Sequence, residues 1–219
     1  MSASRTPFRF AAMSRRAAIT GAALAAMALS ACGGSGGAGA AEGDMAKGAA
    51  EGAKVTLVEY ASVTCVGCAA WQRDVWPQIK SKYVDTNQIR FVFREFPTPP
   101  QDVAVAGFLL GRCAAAKSGN PDDYFRVVDE MLASHPQLTP NQPGFAETLQ
   151  RIRTGLGFSQ EEYLACVTDE AAIAQMEERI RAGQAQGVSG TPTFYVNGKV
   201  VADRSVEGLS AAIDAELAK

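Results

Sequence analysis

The sequence has 219 residues, of which 47% are hydrophobic and 20% charged, and this composition suits one globular domain with a sizeable core. The net charge is −2, and it becomes −6 when the four arginines near the N-terminus are left out, so no basic stripe favours nucleic-acid binding. The single histidine, His135, lies beside Pro136 and is interpreted as a loop residue. With one histidine, the sequence offers few candidate residues for a His-based zinc site or a Ser-His-Asp triad.

The first 31 residues have the pattern of an export signal. Arginines between residues 5 and 16 precede a small, apolar run at residues 17–31, which is too short for a comfortable membrane span. The run ends in Leu29-Ser30-Ala31-Cys32, which resembles the bacterial lipobox, so we expect Cys32 to be the lipidated first residue after cleavage. Ordinary secretion that leaves Cys32 as a stray thiol is the alternative.

The segment after Cys32 is rich in glycine and alanine. Such a segment cannot bury a core and is typical of a flexible linker. We therefore predict a tether over residues 32–52 and a folded domain over residues 53–219.

A pair of cysteines, Cys65-Val66-Gly67-Cys68, lies between a predicted strand and a predicted helix. Residues 55–62 form a nearly continuous apolar run, typical of a strand covered on both faces, and helical spacing follows over residues 69–83. Unpaired N–H groups and the dipole at a helix start favour an anion, which lowers the pKa of a thiol there. Cys65 is thus the candidate attacking thiol and Cys68 the resolving thiol. A permanent disulfide or half of a zinc site is the alternative.

Glu59 interrupts the apolar strand. Its side chain shares a face with the apolar residues at alternate positions, so it points at a core, where burial raises the pKa of a carboxyl. It lies six residues before Cys65, close enough to act through water on the thiol of Cys68. We predict that Glu59 accepts and donates a proton for Cys68. A strand-end glutamate that reaches solvent is the alternative.

The remaining elements follow in order. Pro77 is expected to kink the helix after the cysteines because it has no N–H, and residues 88–96 alternate as a second strand. A long helical stretch comes next, with helices predicted at residues 103–114, 121–132, 145–156, 159–167 and 171–186. A hairpin over residues 193–202 and a helix capped by Ser205 complete the domain.

Three segments together resemble the thioredoxin fold, and more closely the DsbA-like oxidoreductases with a helical insertion. They are residues 55–68, Phe93-Arg94-Glu95-Phe96-Pro97, and residues 187–194. The resemblance implies an α/β thioredoxin fold whose helical insertion, about residues 98–186, lies between the second strand and a hairpin that carries a cis proline, Pro192. It also implies that a substrate peptide lies across Cys65, where it pairs with the backbone of Thr191 like an added strand. Val66 and Gly67 would flank that peptide.

The resemblance further implies an exported thiol:disulfide oxidoreductase that forms disulfides in proteins of the bacterial cell envelope. Its expected partners are unfolded or reduced exported proteins and a membrane redox partner, either DsbB-like or another quinone-linked oxidase. No cofactor or metal is expected. The domain would face the periplasm and contact a membrane, inner or outer, by its lipid anchor only. A reductase or isomerase that runs the reverse chemistry and a non-catalytic, tethered peptide-binding module are the alternatives.

Two details of the cysteines qualify the resemblance. DsbA-like proteins commonly carry Pro-His between the paired cysteines, whereas this chain has Val66-Gly67. Only the helix terminus and backbone donors remain, so we expect a Cys65 pKa above the ~3.5 of strong oxidants and a weaker oxidant.

Some DsbA-like proteins also have a second, non-catalytic disulfide bond in the insertion. Cys113 and Cys166 are the candidate pair for it, and two buried free thiols are the alternative.

Overall fold

The computed structural model describes residues 41–138 and 144–219, so Cys32 and the predicted export signal lie outside the described residues. Within these ranges the chain forms five strands and eight α-helices. The strands are β1 (Met45–Gly48), β2 (Thr56–Ala61), β3 (Arg90–Glu95), β4 (Thr193–Val196) and β5 (Lys199–Val201). The helices are α1 (Val66–Asp74), α2 (Trp76–Ile79), α3 (Gln101–Ser118), α4 (Asp122–Ala133), α5 (Phe145–Gly155), α6 (Gln160–Val167), α7 (Glu170–Ala185) and α8 (Val206–Leu217). None of the helices in these ranges is long and apolar enough to cross a membrane.

The strands form one mixed sheet in the order β1-β3-β2-β4-β5, in which only β2 and β3 run parallel. Strand β2 is central and is buried on both faces, as its continuous apolar sequence predicts. Leu57 and Ala61 join the main core, while Val58 and Tyr60 pack on the opposite face. Helices α3 to α7 lie in sequence between β3 and β4, which confirms the predicted thioredoxin-like architecture with a helical insertion.

The helix that follows the cysteines is broken where the sequence predicts. Helix α1 ends at Asp74, and α2 begins at Trp76 with Pro77 in its first turn. Proline lacks the N–H that would continue the ladder, so a new helix starts instead. Trp71 and Trp76 lie on either side of the break between α1 and α2. Their ring centroids are 5.7 Å apart, and both side chains are buried in the core.

Strand β1 corrects the predicted tether. Residues 45–48 were expected to be flexible, but they pair antiparallel with β3. Backbone hydrogen bonds need no apolar side chains, so a short Gly- and Ala-containing segment can extend a sheet edge. The preceding Asp44 also forms an ion pair of 2.7 Å with Arg94, and the two side chains are only 5% and 10% exposed. The folded domain therefore begins before residue 53.

A buried carboxylate joins the sheet to the insertion. The Glu95 side chain, at the end of β3, is 1% exposed and accepts hydrogen bonds from Arg112 of α3 at 2.7 and 2.8 Å. Tyr124 of α4 donates to the same carboxylate at 3.1 Å, and Arg179 of α7 lies 3.3 Å away. A buried charge is tolerated when it is paired and hydrogen-bonded in this way. The network fixes three insertion helices to the end of one strand.

The ion pair before β1 generates a prediction about stability. In Asp44→Ala the Arg94 guanidinium stays largely buried without its carboxylate, so the free energy of unfolding should fall by about 3 kcal/mol in urea titrations. Asp85→Ala is the matched control, because Asp85 pairs with Lys80 at the surface with its side chain 50% exposed. That change should cost less than about 1 kcal/mol. Equal losses in the two variants would contradict a structural role for residues 41–48.

Candidate active site

Cys65 is the residue that caps the start of α1. Its backbone is extended, with φ −92° and ψ 118°, and its sulfur accepts a hydrogen bond from the backbone N–H of Cys68 at 3.1 Å. Cys65 keeps 8% of its surface exposed, whereas Cys68 is fully buried at 0%, and both are free thiols. Of the two sulfurs, a large protein substrate can therefore reach only that of Cys65.

The surroundings of Cys65 favour its thiolate. A hydrogen bond with the Cys68 thiol is the largest influence that lowers the pKa of Cys65, and partial burial opposes it. Thr191 and the backbone N–H groups of Cys68 and Gly67 lower it further, and the resulting pKa of Cys65 is about 6, against an ordinary value of 9.0. This value lies above the ~3.5 of strong oxidants, as the missing Pro-His pair predicts.

Cys68 and Glu59 have the opposite environment. Burial raises the pKa of the Cys68 thiol, and the hydrogen bond with Cys65 and the nearby Glu59 carboxyl raise it further. Glu59 is 2% exposed on β2, and burial followed by repulsion from Cys65 raises its pKa well above the usual range of a carboxyl. Both groups therefore hold their protons more tightly than they would in water. The alternative of a Glu59 side chain that reaches solvent is excluded by its burial.

The loop before β4 lies directly against the cysteine turn. The Thr191–Pro192 peptide bond is cis, as expected, and the Thr191 carbonyl oxygen is 3.5 Å from the Cys65 sulfur. A Cβ atom added to Gly67 would lie 3.3 Å from Cδ of Pro192, so glycine allows the two loops their close approach. Val66, by contrast, is 71% exposed beside the sulfur.

Two further contacts hold the proline loop in place. Arg204 donates to the Pro192 carbonyl at 3.3 Å, and the indole N–H of Trp71 donates to the Arg204 carbonyl at 3.1 Å. The Thr191 hydroxyl is buried and has no hydrogen-bond partner among the residues with described positions. The site is thus a rigid turn that presents one sulfur and one stretch of backbone to solvent.

Comparison with known proteins agrees with this geometry. A family profile described as thioredoxin matches residues 40–215. The chain belongs to the thioredoxin family. A relative from Rickettsia bellii, provisionally named protein-disulfide oxidoreductase, is 33% identical over 177 residues, which cover 79% of this chain and 64% of the relative. This chain spans between 56% and 64% of the length of the five Rickettsia relatives that it matches.

Comparison with solved structures indicates which type of thioredoxin-family fold this chain has. Alpha-DsbA1 of Wolbachia pipientis has a TM-score of 0.70 and 22% identity, with 83% of this chain and 94% of that chain covered. Oxidised BdbD of Bacillus subtilis has a TM-score of 0.68 and 21% identity, with 84% and 98% covered. This member of the thioredoxin family therefore has a DsbA-like fold.

The insertion contains a disulfide between its helices. Cys113 of α3 and Cys166 of α6 are joined by a disulfide; their Cα atoms are 6.3 Å apart, and the residues are 53 positions apart in sequence. The bond leaves these two sulfurs unavailable as the other half of a zinc site with Cys65 and Cys68. No cluster of three or more His, Cys, Asp or Glu residues suited to a metal ion occurs in residues 41–138 and 144–219.

His135 is the site residue that sequence reasoning missed. The sequence indicates a plain loop residue, but Nε2 of His135 lies 2.9 Å from the backbone carbonyl oxygen of Thr64, the residue before Cys65. The two residues are 71 positions apart, so only the packing of the insertion against the cysteine turn brings them together. No local pattern around His135 and Pro136 indicates this contact.

The pKa of Cys65 generates a prediction about alkylation. Below pH 6 the Cys65 sulfur is protonated and unreactive, and above pH 6 it is a thiolate, so the rate of its reaction with iodoacetamide should rise through a midpoint near pH 6. Mass spectrometry of the native, reduced protein should find the label on Cys65 and not on the buried Cys68. A midpoint near 8.5, the value of a free thiol, would contradict the described environment.

Proposed function

We propose that this protein is an exported thiol:disulfide oxidoreductase that acts as a DsbA-like oxidase and forms disulfides in envelope proteins through Cys65 and Cys68. One observation carries the proposal. A partly exposed sulfur with a lowered pKa lies beside a cis-proline loop, and its buried partner holds its proton. This difference between the two thiols suits disulfide exchange. The Cys65 sulfur is attacked in the first step and must be a good leaving group in the second, and a lowered pKa makes it one.

The reaction begins from the oxidised pair. A substrate thiolate attacks the Cys65 sulfur, a bond forms between substrate and Cys65, and the Cys65–Cys68 bond breaks with its electron pair on Cys68. A second substrate thiolate then attacks the substrate sulfur of this mixed disulfide and releases Cys65 as a stabilised thiolate. The substrate leaves with one disulfide, and the protein has gained two electrons as a dithiol.

The residues around the turn have separate roles in these steps. Thr191 offers backbone groups to an extended substrate, while Val66 and Gly67 border the sulfur without a charged side chain. Glu59 supplies a proton to the Cys68 sulfur when the mixed disulfide forms and takes it back on reoxidation. Its raised pKa suits this exchange, since the carboxyl can be protonated closer to neutral pH than an exposed glutamate can.

Reoxidation requires an external electron acceptor. A quinone-linked membrane oxidase, DsbB-like or of another kind, would take two electrons from the dithiol and restore the pair. Lipidation at Cys32 would hold the domain at a bilayer surface within reach of such a partner and of unfolded exported proteins. The Leu29-Ser30-Ala31-Cys32 segment supports this anchor, and the short segment between Cys32 and residue 41 would serve as the tether.

The test is oxidation of a reduced, unfolded model protein by the full chain, with insulin reduction measured in parallel. Cys65→Ser should abolish both activities, because it removes the sulfur that reacts with substrate. Cys68→Ser should stop turnover in both assays. In the insulin assay its Cys65 thiolate should attack an insulin disulfide and, without Cys68 to resolve it, accumulate as a mixed disulfide with an insulin chain, visible on a non-reducing gel. A reductase or isomerase would favour the insulin assay over oxidation, and a non-catalytic binding module would leave both assays at background in the wild type.

Glu59→Gln tests the proton-transfer role of the carboxyl in the same assay. The amide has nearly the shape of the carboxyl but cannot exchange a proton, so oxidation at pH 7 should slow by about tenfold or more. The mixed disulfide should still form at Cys65. Wild-type turnover in Glu59→Gln would contradict the proton-transfer role and leave the role of the two thiols unchanged.

A further inference from the structure

The short turn His135–Gln137, which follows α4, is where the helical insertion meets the cysteine turn. Nε2 of His135 lies 2.9 Å from the Thr64 carbonyl oxygen. A carbonyl oxygen can only accept, so this nitrogen carries the hydrogen and donates whether the ring is neutral or charged. The contact involves the peptide unit whose nitrogen belongs to Cys65.

The rest of Thr64 is already held by other partners. Its hydroxyl donates to the Thr98 carbonyl at 2.8 Å, and Ser62 and Thr98 hydroxyls lie 3.0 Å from it. Its backbone N–H donates to the Ser62 hydroxyl at 3.3 Å. Among the described contacts, only His135 bonds the Thr64 carbonyl, while the Cys65 N–H at the other end of the same peptide unit donates to the Ser62 carbonyl at 3.2 Å. The imidazole therefore fixes the carbonyl end of a peptide unit whose N–H end is already held.

The turn itself is anchored from the insertion side. The Ser134 hydroxyl accepts a hydrogen bond of 2.8 Å from Arg151 of α5, and Arg151 also pairs with Glu130 of α4 at 2.7 Å. His135 is half-buried next to Ser134. Two insertion helices thus fix the position from which the imidazole reaches the cysteine turn.

The electrostatic consequence follows from the peptide dipole. The carbonyl oxygen of Thr64 is the negative end of that dipole, and it adjoins the residue whose sulfur becomes an anion. A donor on this oxygen offsets the negative end, and the effect is strong because Cys65 and Thr64 are both largely buried. Neither Val66 nor Gly67 has a side-chain donor that could do the same.

We propose that His135 is a positioning residue for Cys65. Its imidazole holds the Thr64 peptide unit and so stabilises the Cys65 thiolate in disulfide exchange. The inference deepens the proposed function and rests on it for its catalytic consequence. Its direct consequence, a lower pKa of Cys65, can be measured without any substrate.

The experiment compares three single variants of the full chain by ultraviolet titration of the Cys65 thiolate. His135→Leu removes the donor at similar size and should raise the pKa of Cys65 by about half a unit, a threefold change in its ionisation constant. His135→Gln can place an N–H near the position of Nε2 and should restore most of the difference. Gln137→Ala, on the exposed side of the same turn, is the control and should match the wild type.

The exchange constant of each variant with glutathione is the second readout, and it should shift threefold towards the disulfide form in His135→Leu. A wild-type pKa in His135→Leu would overturn the inference, as would equal shifts in the Leu and Gln variants. If His135→Leu does not fold, His135→Asn replaces it, because its shorter side chain cannot reach the Thr64 oxygen. Oxidase activity that is absent even from the wild type would refute the proposed function alone, since the pKa comparison does not depend on it.

Discussion

The pair of hydrogen bonds that Cys68 donates to the Cys65 sulfur, from its thiol and from its backbone N–H at 3.1 Å, is the interaction on which the site depends. It places the sulfur at the positive end of α1, where an anion is stabilised without a cationic side chain. The pKa of Cys65 falls from its ordinary value of 9.0 to about 6, so the thiolate is the favoured form at neutral pH. Strand β2 brings the chain to this helix start, and the loop before β4 closes over it from the other side.

The two sulfurs differ in exposure because they lie at different depths at the start of α1. Cys65 is at the rim, whereas Cys68 lies one turn further in and shares its buried surroundings with Glu59. The reduced pair therefore carries its negative charge on Cys65, and this charge stabilises the reduced state. A group whose pKa is lowered by folding adds stability as the pH rises, so the reduced protein should gain stability over the oxidised one above about pH 6.

Much of this arrangement could be predicted from local sequence. The strand before Cys65, the break at Pro77 and the buried position of Glu59 all follow from periodicity or backbone chemistry. The role of the Thr191–Pro192 loop needed the family resemblance, because the chain itself gives no sign of which proline faces the cysteines. Strand β1 and the contact of His135 with Thr64 could not be predicted, since each depends on tertiary pairing between segments that carry no periodic signal.

The most direct test of this account is the redox equilibrium of the Cys65–Cys68 pair with glutathione, measured on the purified protein without oxygen. A Cys65 pKa of about 6 lies between the ~7 of thioredoxin and the ~3.5 of DsbA. We therefore expect a reduction potential between their values of roughly −270 mV and roughly −120 mV. A potential at or above roughly −120 mV, or below roughly −270 mV, would show that the hydrogen bonds from Cys68 and the other donors at the helix terminus do not set the stability of this thiolate.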